Sequence, residues 1–264
     1  MNSAELVQAA RLEEALAALQ SEIRSRPDDH KLRIFLFQLN CVLGQWEKAL
    51  TQLQVVAGLN AETLLLAQVF RAVIACEVLR REVFAGRHSP LVLGEPMEWM
   101  GWLIQANSLI AEARYDAAAE LRGRAFDAAP ATAGKLNDQP FEWIADADCR
   151  LGPLLEVILE GKYYWVPFCR VRRIEFEKPT DLRDLVWTPA RFTWANGGAA
   201  TGHIPARYPG TEEAREGALR LARKTEWREP VPGTYLGLGQ RVFATETGEL
   251  PLLECRTVEL NPDA

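Results

Sequence analysis

Histidine and cysteine are scarce in this chain. Its 264 residues hold three histidines, His30, His88 and His203, and five cysteines, Cys41, Cys76, Cys149, Cys169 and Cys255. No two cysteines are closer than 20 residues and no Cys-x-x-Cys occurs, so nothing has metal-ligand spacing. An odd set of scattered thiols fits free, mostly buried cysteines in a reducing compartment, not a disulfide frame. Long apolar runs are missing too. The best, Leu64 to Leu79, is broken by Gln68, Arg71 and Glu77, which leaves no span of about 20 residues to cross a bilayer. The first turns carry Glu5, Arg11, Glu13 and Glu14 in place of a charged-then-apolar leader, so the chain reads as cytoplasmic and membrane-free. Basic excess is absent: net charge is −6, with 16 acidic against 13 basic residues in 1–134 and 20 against 17 in 135–264. That excludes non-specific nucleic-acid binding as the main task. Gly-x-Ser-x-Gly, a Walker loop and His-Glu-x-x-His do not occur. Gly237-Leu238-Gly239 begins like a dinucleotide fingerprint but lacks the third glycine and a strand–helix setting.

What is present divides near Pro130-Ala131-Thr132-Ala133-Gly134, a stretch rich in breakers. Residues 1–134 read as helices. Leu32, Phe35, Leu36, Leu39, Val42 and Leu43 form one apolar stripe at helical spacing, as do Trp46, Ala49, Leu50, Leu53, Val56 and Ala57, and Trp99, Trp102, Leu103, Ala106, Leu109 and Ile110. The run from Leu12 to Gln20 aligns with Trp46 to Gln54 at an offset of 34 residues, the period of tetratricopeptide helix pairs. A third copy falls at Trp102, Ala106, Ala118, Ala125 and Pro130, where small residues let helices approach and proline ends the second one. Glu62–Phe84 is apolar on several faces and reads as a helix covered on both sides; Leu91–Pro96 reads as an irregular connector. A helical stack of this kind presents a concave face to a peptide, or serves only to support the second half.

Residues 135–264 read as a strand-rich α+β domain. Leu154–Leu159 and Tyr163–Phe168 flank Glu160-Gly161-Lys162 as a hairpin. Arg173–Glu177 and Asp184–Trp194 are further strands, with a turn at Asn196-Gly197-Gly198. Arg241–Thr245 and Leu252–Glu259 suggest a last hairpin. One helix is expected from Thr211, its cap, to Arg220, Arg223 and Lys224 at its end. The whole is of the α+β class, a tetratricopeptide-like helical half followed by a strand-rich half.

The segment Phe141–Arg150 carries three carboxylates, Glu142, Asp146 and Asp148, within seven residues. Those carboxylates could do acid–base work or hold a divalent cation; equally, Asp146 and Asp148 could cap turns and pair with Arg150 or another arginine. In the strand Tyr163-Tyr164-Trp165, alternation puts Tyr163 and Trp165 on one face and Tyr164 on the other. Trp143, Trp187, Trp194 and Tyr208 add aromatics that serve either as core or, beside arginine, as binding hot spots. The residues singled out are Trp143, Asp146, Asp148, Arg150, Tyr163, Trp165, Trp187, Arg207 and Tyr208; none is assigned to catalysis, to a metal or to a cofactor.

Phe141-Glu142-Trp143-Ile144-Ala145-Asp146-Ala147-Asp148-x-Arg150-Leu151-Gly152-Pro153, followed by Leu155-Glu156 and Gly161-Lys162-Tyr163-Tyr164-Trp165-Val166-Pro167-Phe168, closely resembles the ImpE family, also called TagJ or SciE-type. So do Asp181 to Ala190 and Ile204-Pro205-x-Arg207-Tyr208-Pro209-Gly210. Cys149 departs from the small polar residue expected there. The resemblance implies an accessory, non-enzymatic component of a bacterial type VI secretion system, without a cofactor. It implies association with the small subunit of the contractile sheath and, in some systems, with the AAA+ ATPase that disassembles the sheath. A ligand-binding or enzymatic module around Asp146, Asp148 and Arg207, or a structural subunit of the baseplate, are the alternatives.

Overall fold

The computed structural model describes residues 1–59 and 61–261. Helices come first: α1 Ser3–Gln8, α2 Leu12–Ser25, α3 His30–Val42, α4 Trp46–Val56 and α5 Ala61–Phe84; then, after a short strand β1 (Leu91–Val92), α6 Glu98–Ala111 and α7 Tyr115–Ala128. The repeat is legible in backbone angles. The pairs α1–α2, α3–α4 and α6–α7 turn through a left-handed residue, Ala10 (φ 57°), Gly44 (φ 67°) and Ala113 (φ 58°). Each is followed by a residue of nearly the same conformation, Arg11 (φ −91°, ψ 68°), Gln45 (φ −85°, ψ 65°) and Arg114 (φ −90°, ψ 62°). The fourth residue of each second helix, Ala15, Ala49 or Ala118, is fully buried. A methyl there lets the paired helix come close.

After α7 the chain turns to strands: β2 Gly134–Leu136, β3 Gln139–Phe141, β4 Ile144–Asp146, β5 Leu154–Leu159, β6 Lys162–Pro167, β7 Val171–Phe176, β8 Trp187–Trp194 and β9 Ala199–Pro205. The short helix α8 (Gly217–Arg220) precedes β10 Thr225–Arg228, β11 Leu236–Gly239, β12 Val242–Thr245, β13 Gly248–Pro251 and β14 Thr257–Leu260. The large sheet runs β1-β6-β5-β9-β8-β7-β14-β2-β3; β13-β12-β4 and β10-β11 form two smaller ones. Strands β5 and β9 meet at one pair, Ile158 with His203, where a Cβ on Gly202 would lie 2.4 Å from the Ile158 carbonyl oxygen.

The large sheet is covered on both faces, and strand alternation sorts its side chains. Leu154, Ile158, Tyr163 and Trp165 pack with the helices, and Leu155, Val157, Leu159 and Val166 pack with Phe243 of the small sheet. Helix packing, large sheet and small sheet thus form layers around two large cores, with a smaller cluster of Ala106, Leu109, Ile110, Ala118 and Leu236 beside them. The change of grammar at residue 134 coincides with the step from α7 to β2, yet the first core crosses it: the Trp187 ring lies 5.7 Å from Trp46 and 6.1 Å from Phe70. The face that α4 and α5 present there is therefore filled by the chain's own second half.

Several expectations are corrected. Helix α5 is covered on one side only: Phe70, Val73, Ile74, Cys76 and Val83 are buried, while Leu64, Leu65, Val69 and Val78 stay exposed. The connector at 91–96 contains β1, which pairs parallel to β6 (Leu91 with Tyr164). Strand β8 starts at Trp187, because Asp181 and Asp184 close a capping box around a 3₁₀ turn over Leu182–Leu185. No helix runs from Thr211 to Lys224. Gly210 (φ 84°) leads into a 3₁₀ turn, Thr211–Glu213, and only α8 follows. The Thr211 hydroxyl donates to the Tyr208 carbonyl (2.6 Å) and accepts from the Gly239 amide (2.9 Å), so it ties loops together rather than capping. Strand β12 pairs with β13, and β14 leaves for the large sheet between β7 and β2. Among the described residues no helix is long and apolar enough to cross a membrane.

The left-handed turns yield a paired prediction. At exposed Ala113 a β-carbon is strained and glycine relieves it, so Ala113→Gly should gain up to about 1 kcal/mol. At Gly44 a Cβ would lie 2.6 Å from the Glu212 Cβ in addition to the positive φ, so Gly44→Ala should lose more than about 1 kcal/mol. Thermal melts that shift up for the first and down for the second carry the reading; shifts of equal sign contradict it.

Candidate interaction site and buried ionic network

Charge lies where these two cores meet. Strand β5, Leu-Leu-Glu-Val-Ile-Leu, is buried along its length, and Glu156 is fully buried within it on the side facing α5. A carboxylate there persists only with partners. Arg80 of α5 donates to it through Nε (2.6 Å) and Nη2 (3.0 Å). Arg241, from the chain leading into β12, donates through Nη2, and the Tyr163 hydroxyl donates as well. The Trp165 indole N–H in turn donates to the Tyr163 oxygen (2.7 Å). Arg80 also donates to Glu77 (2.8 Å), whose other oxygen accepts the Trp187 indole N–H (2.8 Å).

Arg241 links Glu156 to a second carboxylate. Its Nη1 donates to Asp146, and its Nε donates to the Pro205 carbonyl (2.8 Å). Asp146 further accepts the Tyr208 hydroxyl (3.1 Å) and the Asp148 amide (2.9 Å). Asp148 holds Arg150 through Nε (2.8 Å) and the backbone amide (2.9 Å), and accepts the Gly237 amide (2.7 Å). Arg207 joins differently: its Nη1 donates to the carbonyls of Val42 (2.8 Å) and Arg220 (2.6 Å), which are C-terminal groups of α3 and α8. Four buried acids, Glu77, Asp146, Asp148 and Glu156, stand beside four buried guanidinium groups, Arg80, Arg150, Arg207 and Arg241.

The Gly237-x-Gly239 pair finds its reason here. A Cβ on Gly237 would lie 2.2 Å from the Tyr208 ring, and one on Gly239 (φ 93°) would lie 2.2 Å from the Lys224 carbonyl oxygen. Close packing, not a phosphate, selects glycine.

Of the nine residues singled out in the sequence, Asp146, Asp148, Arg150, Tyr163, Trp165, Trp187, Arg207 and Tyr208 converge on this interior, and all are buried. Trp143 is apart from them, 38% exposed on the rim of a 480 Å³ cavity. Sequence reasoning missed Glu77, Arg80, Glu156 and Arg241 as members. The available signal was a charge inside an apolar run: Glu77 and Arg80 in α5, and Glu156 between Leu155 and Val157. Among the described residues no group of three histidine, cysteine or acidic side chains is placed to hold a metal ion.

Electrostatics follow the contacts. Burial pushes the Glu156 carboxyl up, but Arg80 and Arg241 outweigh it and hold it down at about 2. Burial pushes Asp146 up to about 6, against the pull of Arg241. Burial, then the Glu156 charge, raises Tyr163 well above its ordinary range, so its hydroxyl stays a donor. Glu156 is depressed in the fold, so its stabilisation is present above its ordinary value near 4.5 and is lost as pH falls toward 2. Asp146 has the opposite sign: its share is present below 3.8 and lost as pH rises through about 6. Glu156→Gln should therefore lose about 3–5 kcal/mol at pH 7, because two guanidinium groups lose their shared counter-charge. The gap to the unmodified protein should shrink below pH 4.5, by about 3 kcal/mol in the limit. Denaturant titrations from pH 7 to pH 3 read this; a pH-independent gap contradicts it.

Comparison with known proteins agrees with the sequence resemblance. Residues 138–259 match the family described as "ImpE protein". A protein of Pseudomonas aeruginosa named "Type VI secretion system accessory component TagJ" is 51% identical over 262 residues, 99% of this chain and 92% of that one. The crystal structure of a Vibrio parahaemolyticus protein superposes with a TM-score of 0.89 at 26% identity, covering 98% of this chain and 97% of that one. With half of its residues shared with TagJ along almost its whole length, the chain belongs to the ImpE family, that of the type VI secretion accessory component TagJ.

Proposed function

We propose that this protein is a non-enzymatic adaptor of a type VI secretion system, acting in the cytoplasm. It binds a helical segment of the small sheath subunit and brings it to the N-terminal domain of the AAA+ ATPase that disassembles the sheath. The observation that carries the reading is an apolar groove at the junction of the two halves. Leu65 (62% exposed), Val69 and Ala72 of α5 form one wall, and Pro189, Thr201 and His203 of β8 and β9 form the other, around a cavity of about 570 Å³. Leu65, Val69 and Ala72 follow helical spacing, and an amphipathic helix laid into an apolar groove is a recurring recognition mode. Burial lowers the pKa of His203, which favours its neutral form, and the charged groups of the lining are Glu160, Glu177 and Arg191. Non-enzymatic action is supported by the carboxylates themselves: Asp146 and Asp148, the candidates for acid–base work, each hold an arginine inside the protein.

Isothermal titration with the sheath small subunit should give a Kd of about a micromolar or tighter, retained in moderate salt. Leu65→Glu and Val69→Glu, at exposed positions, should leave the melting temperature unchanged and weaken that binding at least tenfold. Binding to the ATPase domain alone would replace sheath docking with regulation of disassembly. Binding to neither, together with stoichiometric recovery in purified baseplates, would favour a structural subunit and overturn the adaptor reading.

A further inference from the structure

A second surface lies away from the α5 groove and does not rest on the sheath reading. Its cavity of about 480 Å³ lies between two extended segments, Ala129–Ala131 after α7 and Trp143–Ala147 around β4. Three aromatic side chains lining this cavity are among the exposed large apolar groups of the protein: Phe126 (40%), Trp143 (38%) and Tyr235 (47%). Exposed aromatics gathered at one cavity mark a contact site more often than scattered ones do.

The backbone adds direction. Strand β4 is the outer strand of the sheet β13-β12-β4. The Ala147 amide bonds the Val242 carbonyl, which sets the phase of the pairing: Ala145 exchanges bonds with Ala244, Ile144 turns its amide and carbonyl away from β12, and the Asp146 amide on that outer side is taken by the Gly152 carbonyl (2.7 Å). An outer strand with groups turned outward is a template for another strand.

Charge selects the occupant. Arg122, the cation in the lining, is spent on the Gly233 carbonyl (3.0 Å) and the Thr234 hydroxyl (3.3 Å). Carboxylates stand at the rim: Glu229 accepts the Gly233 amide (2.8 Å) and the Tyr235 hydroxyl, and Glu246 accepts the Glu142 amide (2.9 Å) beside Trp143. An acidic rim around an apolar slot favours a basic partner.

We propose that this slot docks an extended peptide segment of a partner protein, paired with the outward amide and carbonyl of Ile144 on β4, with large apolar side chains in the cavity and lysine or arginine at the rim carboxylates. The test uses a fluorescein-labelled pool of five-residue peptides, with Lys or Arg at both ends and Leu, Ile, Val, Phe or Trp at the three central positions. Anisotropy should saturate below about 1 mM, the range of weak specific contacts. A pool with Glu at both ends should bind at least tenfold more weakly. Trp143→Ala removes a rim ring and Ala131→Trp fills the slot; each should lower affinity at least tenfold at an unchanged melting temperature. The bound peptide should also slow hydrogen exchange at the Ile144 amide. No saturable binding to 1 mM, equal binding of the acidic pool, or unaltered binding by both variants overturns the proposal. So does indole binding in the slot while both pools fail, which would make it a small-molecule cavity.

Discussion

A single carboxylate, Glu156, dictates how the two halves of this chain meet. It sits in a strand whose six residues are all buried, on the side turned toward α5. Removing an ionised carboxylate from water costs far more than any one packing contact returns, so it must be paired where it lies. Its partners come from opposite ends of the sequence, Arg80 before it and Arg241 after it. Each half also pairs charges of its own, Arg80 with Glu77 in α5 and Arg241 with Glu156 and Asp146 in the second half; the ion pair that crosses between them is Arg80 with Glu156. Further ties follow from the same guanidinium groups. Arg80 also holds the Arg207 carbonyl (2.8 Å), and Arg207 in turn closes the ends of α3 and α8. Buried ion pairs of this kind add little net stability against an apolar replacement; what they add is a requirement that one arrangement be reached and no other.

That requirement explains which parts of the structure were legible in the sequence. Helices with a clean apolar stripe announce themselves, and the 34-residue offset between Leu12 and Trp46 survives as a shared turn and a shared buried alanine. The hairpin β5–β6 was legible because its turn and its alternation agree. The failures share a cause. The expected helix after Thr211 carries the right cap and charge order, but Gly217 is pressed against Ala10, where a Cβ would lie 2.0 Å from the carbonyl oxygen. Tertiary contact overrides local preference there. Strand β14 looked like half of a hairpin because its partners, β2 and β7, are far from it in sequence. For the site, residue types were informative and distances were not. Asp146 and Asp148 stood out as paired acids, while Arg241, which neutralises Asp146, lies 95 residues away and has no local signature.

Tryptophan and tyrosine illustrate the same limit from the apolar side. Tyr163, Trp165 and Trp187 combine bulk with one polar atom, and each polar atom is spent inside the network, on Glu156, Tyr163 and Glu77 respectively. Such residues fill the interior and serve as its hydrogen-bond donors at once. Trp143 has the same chemistry but lies beyond the edge of the small sheet, and no sequence rule distinguishes it from the others. Only the position of β4 at the end of its sheet does so.

The surfaces left over are therefore defined by what the interior cannot use. The face of α4 and α5 that carries Trp46 and Phe70 is occupied by Trp187 of the large sheet. Apolar side chains that face outward, Leu65 and Val69 on α5 and Phe126, Trp143 and Tyr235 around β4, stay exposed outside the cores. The proposed adaptor role requires contact surfaces held at a fixed separation, or binding one partner would not position the next. Arg80 supplies that fixity: a hinge between the halves would break its bonds to Glu156 and to the Arg207 carbonyl and leave part of each buried group's hydrogen bonding unmet. The most distinctive segment of the chain, residues 141–168, supplies Asp146, Asp148, Arg150, Glu156, Tyr163 and Trp165 to this network. Many of its polar side chains have a partner to meet, and a buried network specifies residue identity as strictly as catalysis does.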